Sequence, residues 1–178
     1  KYEDVAASSA LFTDSQGKIY LPELTPGDYQ LIETEAPRGY RLNPAPIPFT
    51  IDSRQTAAKT ATMENERNVG SVELKKFDPL NGAGLADAVF ELQDENGVVL
   101  QKDLKTNAEG KLVVDGLKSG KYQFVEVAPP ITYVKDATPI QFEIVQNGET
   151  VPLTFANRKF DGVWAFELTK VDKDTGAK

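Results

Sequence analysis

The chain of 178 residues contains no cysteine and no histidine. Without cysteine it forms neither a disulfide nor a thiolate metal site. Without histidine it lacks the most common general base and metal ligand. These absences exclude hydrolases built on Ser-His or Cys-His pairs, and we expect neither a metal nor a cofactor. The sequence also lacks a run of about 18 apolar residues, which predicts that no segment inserts into a membrane.

The composition is that of an acidic globular protein. Hydrophobic residues make up 40% of the chain and charged residues 26%, an ordinary balance for a folded domain. The net charge is -7 and the sequence pI is about 4.7. An acidic surface repels phosphate backbones, so the sequence predicts that nucleic acid is not a partner.

A long internal repeat organises the sequence. Residues 13–51 align without a gap with residues 106–144, and Glu33 matches Glu126 at an offset of 126 − 33 = 93. A gapless match of this length indicates duplicated structural modules.

Two shorter matches extend the repeat. Residues 62–65 align with residues 154–157, and the strand-like segment 72–78 resembles residues 166–172. The first match belongs to the end of a module and the second to its beginning. They therefore set the predicted module boundaries.

We predict three parts from these boundaries. Residues 1–68 form a partial module that lacks its first strands, residues 69–159 form a complete module, and residues 160–178 supply the first strand of a following module. We expect an internal fragment of a longer protein, with its targeting signals elsewhere.

Short runs with alternating apolar and polar residues predict an all-β fold. Turn sequences such as Asn81-Gly82 and Asn96-Gly97 separate the runs, and no window has helical periodicity. About seven such runs in one module predict tandem antiparallel β-sandwich modules of prealbumin-like or immunoglobulin-like type.

Three polar residues fall on the inward face of these predicted strands. Lys76, Glu126 and Asn157 each end a row of apolar residues. Burial disfavours the charged forms of lysine and glutamate, and a neutral amine can attack a carboxamide carbon while a carboxyl group transfers protons. The residues alone leave two alternatives equally open: a Lys–Asn isopeptide bond, or a buried Lys–Glu ion pair with asparagine as a hydrogen-bond partner.

The motifs resemble the B-type repeat domains of Gram-positive collagen adhesins and pilins, a Cna-B-like family with a prealbumin-like fold. The residues that carry this resemblance are VxLxKxD at Val72–Asp78 and an LxGAxFxL-like segment at 85–92, where Asp87 replaces the usual glycine. They continue with GxYxxxExxxP at Gly120–Pro130 and TxxN at Thr154–Asn157.

The resemblance implies an isopeptide bond between Lys76 and Asn157, with Glu126 as the catalytic acid. Lys75 is the alternative nucleophile, but the strand alternation points it toward solvent. The bond would be formed once by the protein itself, so the chain is not expected to be an enzyme.

The partial module repeats part of this set, with Glu33 as the acid and Asn65 as the amide. Its lysine strand is expected from residues 163–176, where Phe166 would enter the core and Lys170 would be the nucleophile. Strand complementation between neighbouring copies would then give head-to-tail chains. The alternative is that residues 160–178 are a linker.

The resemblance implies a stalk or spacer segment of a cell-wall-anchored adhesin or pilus on a Gram-positive bacterium. Its partners would be neighbouring modules of the same polypeptide. A second function is a module that itself binds a host extracellular-matrix protein. A third is the accessory sandwich of a carbohydrate-processing enzyme.

Overall fold

The computed structural model describes residues 11–163 and 167–177. Phe166, which was expected to enter a core, lies outside these ranges, as do the first ten residues of the predicted partial module. The chain divides into two compact units. Unit 1 runs to Gly70 and includes the turns 118–120 and 144–149, and unit 2 contains the remaining residues.

Within the described ranges the chain forms strands and no helix, which confirms the all-β prediction. The strands are β1 (Gly27–Leu31), β2 (Ile47–Ile51), β3 (Val69–Phe77), β4 (Val89–Asp94), β5 (Val99–Lys105), β6 (Lys111–Lys118), β7 (Gly120–Ala128), β8 (Ile140–Ile144) and β9 (Thr150–Ala156). Accordingly, this part of the chain has no helix long and apolar enough to cross a membrane.

In unit 1, β1 and β2 form an antiparallel two-stranded sheet. Tyr29 lies opposite Phe49, and their rings stack with centroids 5.4 Å apart. Both side chains are half-buried.

In unit 2 the strands form two sheets, in the orders β6-β3-β9 and β5-β4-β7-β8. The strand β4 pairs antiparallel with both β5 and β7, whereas β3 and β9 pair parallel. Alternate residues of these strands point into one core, as the sequence alternation predicts. The buried apolar residues of unit 2 are Val72, Leu74, Leu85, Ala88, Phe90, Leu92, Leu112, Val114, Leu117, Phe124, Phe142 and Phe155.

The sequence repeat is also a repeat of backbone structure. The Gly17 N–H donates to the Asp14 carbonyl at 2.9 Å, and the Gly110 N–H donates to the Asn107 carbonyl at 2.9 Å. Both glycines have a positive φ, 72° and 76°. The two turns therefore have the same hydrogen bond and backbone conformation at matching positions.

Gly110 also lies against the strand that carries Lys76. The Lys76 N–H donates to the Gly110 carbonyl at 2.7 Å. A Cβ atom at position 110 would lie 2.3 Å from the Lys76 carbonyl oxygen and 2.6 Å from the Leu85 nitrogen. Gly82 has a similar φ of 74°, but a Cβ there would meet no atom within 4 Å.

This contrast predicts that Gly110→Ala destabilises the protein more than Gly82→Ala does. Both substitutions add a side chain at positive φ, which costs roughly 1–2 kcal/mol. Gly110→Ala also forces two backbone segments apart, so we expect about 1–3 kcal/mol of further loss in the free energy of unfolding. Urea denaturation of both variants measures the difference, and equal stabilities would contradict the close packing.

Candidate functional site

The three inward polar residues are buried together in unit 2. Lys76 lies on β3, Glu126 on β7, and Asn157 directly after β9. Their relative exposures are 0%, 0% and 1%, as low as those of the aromatic core. Since a lone buried charge is costly, burial of this set requires its members to compensate one another.

Strand pairing determines how these side chains meet. In the parallel pair, Lys76 is in register with Phe155, two residues before Asn157. The backbone N–H of Asn157 donates to the Phe77 carbonyl at 3.2 Å, which holds Asn157 beside the end of β3.

Glu126 lies between the amine and the amide. Its Oε1 is 3.3 Å from Lys76 Nζ, and its Oε2 accepts a hydrogen bond from Asn157 Nδ2 at 3.1 Å. The carboxyl group therefore has one oxygen toward each of the two groups that an isopeptide bond would join.

The site contains several unsatisfied polar atoms. Lys76 Nζ, Glu126 Oε1 and Asn157 Oδ1 have no hydrogen-bond partner among the described residues. The Nζ–Oε1 contact has the distance of an ion pair but not the geometry of a hydrogen bond. Buried polar atoms are normally satisfied, and each exception requires an explanation such as strain or reactivity.

Burial makes the Lys76 amine easier to deprotonate than that of an exposed lysine. Burial lowers the pKa of Lys76 to about 8, although the negative charges of Glu126 and Asp136 act in the opposite direction. Aromatic rings cover the amine, with Nζ 3.7 Å from the Phe155 ring centroid and 5.9 Å from that of Phe90. A larger fraction of this lysine is therefore deprotonated near neutral pH than of an exposed lysine.

Sequence reasoning missed one contact of the site. The backbone N–H of Asp136 donates to Glu126 Oε2 at 2.8 Å, from the loop between β7 and β8. Loops have no side-chain periodicity that could indicate such a contact. The one sequence feature at this position is the repeat, which aligns Asp136 with Asn43.

Unit 1 brings Glu33 and Asn65 into contact. Asn65 Nδ2 lies 2.9 Å from Glu33 Oε1 and 2.7 Å from Oε2, and it also contacts the Arg41 carbonyl at 2.9 Å. The backbone N–H of Asn43 donates to Glu33 Oε2 at 2.7 Å. Both Glu33 and Asn65 are half-buried.

Lys170 is exposed, and residues 167–177 have a turn but no strand. The role predicted for this segment stays a prediction. Among the described residues, no group of three or more acidic side chains could hold a metal ion.

Comparison with known proteins identifies the family. The SpaA prealbumin-like fold domain matches residues 1–67 and 70–159, so the chain belongs to this family. This match confirms the resemblance to B-type repeat domains and the prealbumin-like fold.

Individual relatives are consistent with the family. Serine-aspartate repeat-containing protein D of Staphylococcus aureus is 26% identical over 140 residues, covering 68% of this chain and 10% of the relative. The Bacillus anthracis TIE protein is 30% identical, with a TM-score of 0.65 over 84% of this chain and 28% of that chain. BcpA, the major pilin subunit of Bacillus cereus, is 32% identical, with a TM-score of 0.47 over 51% of this chain and 29% of that chain. The chain spans only 10% to 29% of the lengths of these relatives.

Proposed function

We propose that the chain is a spacer segment of an extracellular, cell-wall-anchored stalk, and that a self-formed Lys76–Asn157 isopeptide bond locks its complete module. The observation that carries this proposal is the position of Glu126, with Oε1 at 3.3 Å from the amine and Oε2 at 3.1 Å from the amide nitrogen. Its partners are neighbouring modules of the same polypeptide.

The arrangement provides a path for each proton. The Lys76 ammonium gives a proton to Glu126, and the neutral amine attacks Asn157 Cγ. Glu126 transfers its proton to Nδ2 and takes a second proton from Nζ as the new Nζ–Cγ bond forms. The Cγ–Nδ2 bond then breaks, and ammonia leaves with the remaining proton as ammonium. Glu126 returns as a carboxylate, so the net change is the loss of one ammonia from the protein.

The unpartnered Asn157 Oδ1 fits this reaction. A half-turn of the carboxamide places Oδ1 where Nδ2 contacts Glu126 Oε2, and a protonated Glu126 then donates to that oxygen. Negative charge develops on Oδ1 during attack, so this hydrogen bond strengthens toward the transition state. The surrounding aromatic core excludes water that would compete for the same proton.

Intact-mass measurement tests the bond directly. The unsubstituted chain should be lighter than its sequence mass by one ammonia, because the reaction releases Asn157 Nδ2. Asn157→Ala and Glu126→Ala should keep their full sequence masses, because one lacks the electrophile and the other lacks the proton carrier.

Lys75→Met is the matched control, since Lys75 neighbours Lys76 on β3 but is exposed. It should lose ammonia like the unsubstituted chain. Peptide mapping should recover Lys76 joined to Asn157, and a full mass for the unsubstituted chain would refute the bond.

Loss of the bond should lower stability. The bond closes a loop of 157 − 76 = 81 residue steps, which the chain-entropy estimate for cross-links values at about 4–5 kcal/mol. Lys76→Met removes the bond without leaving a buried charged amine, and it should lower the melting temperature by roughly 20 °C. Calorimetry compares it with Lys75→Met, and equal melting temperatures would show that the bond does not stabilise the module.

We also propose that Lys170 of one copy bonds Asn65 of another, with Glu33 as the acid. The repeat aligns Lys170 with Lys76, and Lys170 is exposed. Glu33 already contacts Asn65 through both carboxylate oxygens. This reaction would join copies head to tail.

Denaturing gel electrophoresis tests this second bond. The purified chain should give a ladder of covalent oligomers, and either Lys170→Met or Asn65→Ala should reduce it to one band. A single monomer band from the unsubstituted chain, with Lys170 mapped as a free amine, would refute it.

A further inference from the structure

Residue 136 touches the proposed reaction site without belonging to the reacting set. Its backbone N–H donates to Glu126 Oε2 at 2.8 Å. Its own Oδ1 accepts a hydrogen bond from the Thr138 N–H at 2.9 Å, which fixes the carboxylate in the loop after β7. The negative charge of Asp136 also acts on buried Lys76.

Both contributions of Asp136 favour the same protonation state of the site. A hydrogen bond to Glu126 stabilises its carboxylate form, and a nearby negative charge stabilises the ammonium form of Lys76. Attack requires the opposite state, in which the lysine is neutral and Glu126 carries the proton. Asp136 therefore stabilises the unreactive ion pair relative to the reactive neutral pair.

The first module contains the same loop with an uncharged residue. Asn43 aligns with Asp136 at the offset 136 − 43 = 93. Its N–H donates to Glu33 Oε2 at 2.7 Å, and its Oδ1 accepts from the Ala45 N–H at 3.2 Å. An asparagine thus keeps both hydrogen bonds of this loop and lacks only the charge.

No other acidic group is identified as acting on the Lys76 amine in the described part of the chain besides Glu126 and Asp136. Asp78, directly after β3, accepts a hydrogen bond from the Tyr133 hydroxyl at 3.0 Å. The buried side chains that β4, β6 and β9 contribute to this core are apolar: Phe90, Leu92, Leu112, Val114, Leu117 and Phe155.

We propose that Asp136 is a positioning residue that slows formation of the Lys76–Asn157 bond by stabilising the Lys76–Glu126 ion pair. This inference rests on the proposed function, because it concerns the rate of the same reaction. The loop backbone positions Glu126, and the Asp136 charge sets how often the pair is neutral. Asp136→Asn should therefore accelerate the reaction without changing its product.

The rate is measured from a defined unreacted state. Chains made by chemical synthesis are kept unfolded in urea, refolded by dilution at pH values from about 6 to about 10, and quenched in acid at intervals. Intact mass then gives the fraction that has lost ammonia. Asp115→Asn is the matched control, because it removes one negative charge from an exposed position on β6.

We expect the rate to fall at alkaline pH, because the reactive pair holds one proton and loses it when Lys76 is deprotonated. Asp136→Asn should raise the maximal rate about two- to five-fold, the size expected for a solvent-screened charge. It should also move the alkaline limb to lower pH, because loss of the negative charge eases deprotonation of Lys76. High salt should reduce this difference, and Asp115→Asn should match the unsubstituted chain.

A second variant separates charge from backbone. Asp136→Ala keeps the N–H donor and removes the charge, so its rate should also exceed that of the unsubstituted chain. An unchanged or slower rate for Asp136→Asn, or an acceleration that high salt does not alter, would overturn the inference. If the unsubstituted chain never loses ammonia, the proposed bond fails instead, which distinguishes the two failures.

Discussion

The amine of Lys76 in an apolar core is the constraint on which the rest of unit 2 depends. An isolated ammonium there would be strongly unfavourable, and the structure compensates it with Glu126 at 3.3 Å and the face of Phe155 at 3.7 Å. The compensation is incomplete, because neither Nζ nor Oε1 makes a hydrogen bond. A buried ion pair of this quality adds little to stability. The proposed reaction would convert the Lys76 ammonium into a neutral amide and so remove this buried positive charge.

Comparison of the two units shows which contacts of the site form with the lysine and which form without it. In both, the glutamate contacts the asparagine amide and accepts the backbone N–H of a residue in the following loop. These contacts form in unit 1 without a described lysine partner. The glutamate–asparagine contact and the loop hydrogen bond therefore form in unit 1 without the lysine strand. This independence explains why one loop position can change from Asn43 to Asp136 without altering the shared hydrogen bonds.

The burial of the site residues could be predicted from the alternation of apolar and polar residues. The strand pairing and the loop contact could not, because alternation does not encode them. Parity along β3, β7 and the end of β9 correctly placed Lys76, Glu126 and Asn157 inside. The contact between Glu33 and Asn65 followed from the repeat. The parallel pairing of β3 with β9 joins segments far apart in sequence, which no local pattern encodes. Asp136 acts from a loop through its backbone N–H, a group that every residue except proline carries.

The placement of the proposed bond determines which part of the module bears tension. In the proposed stalk, force would enter the module at the start of β3 and leave after β9, and these two strands pair parallel. With Lys76 joined to Asn157, the load passes along β3 into the bond and out through the residues that follow Asn157. The 157 − 76 = 81 residue steps between them lie outside that path. Hydrogen bonds of the sandwich then need only resist thermal unfolding, while covalent bonds resist extension. A spacer built this way can use a sandwich of ordinary stability and still keep its length under load.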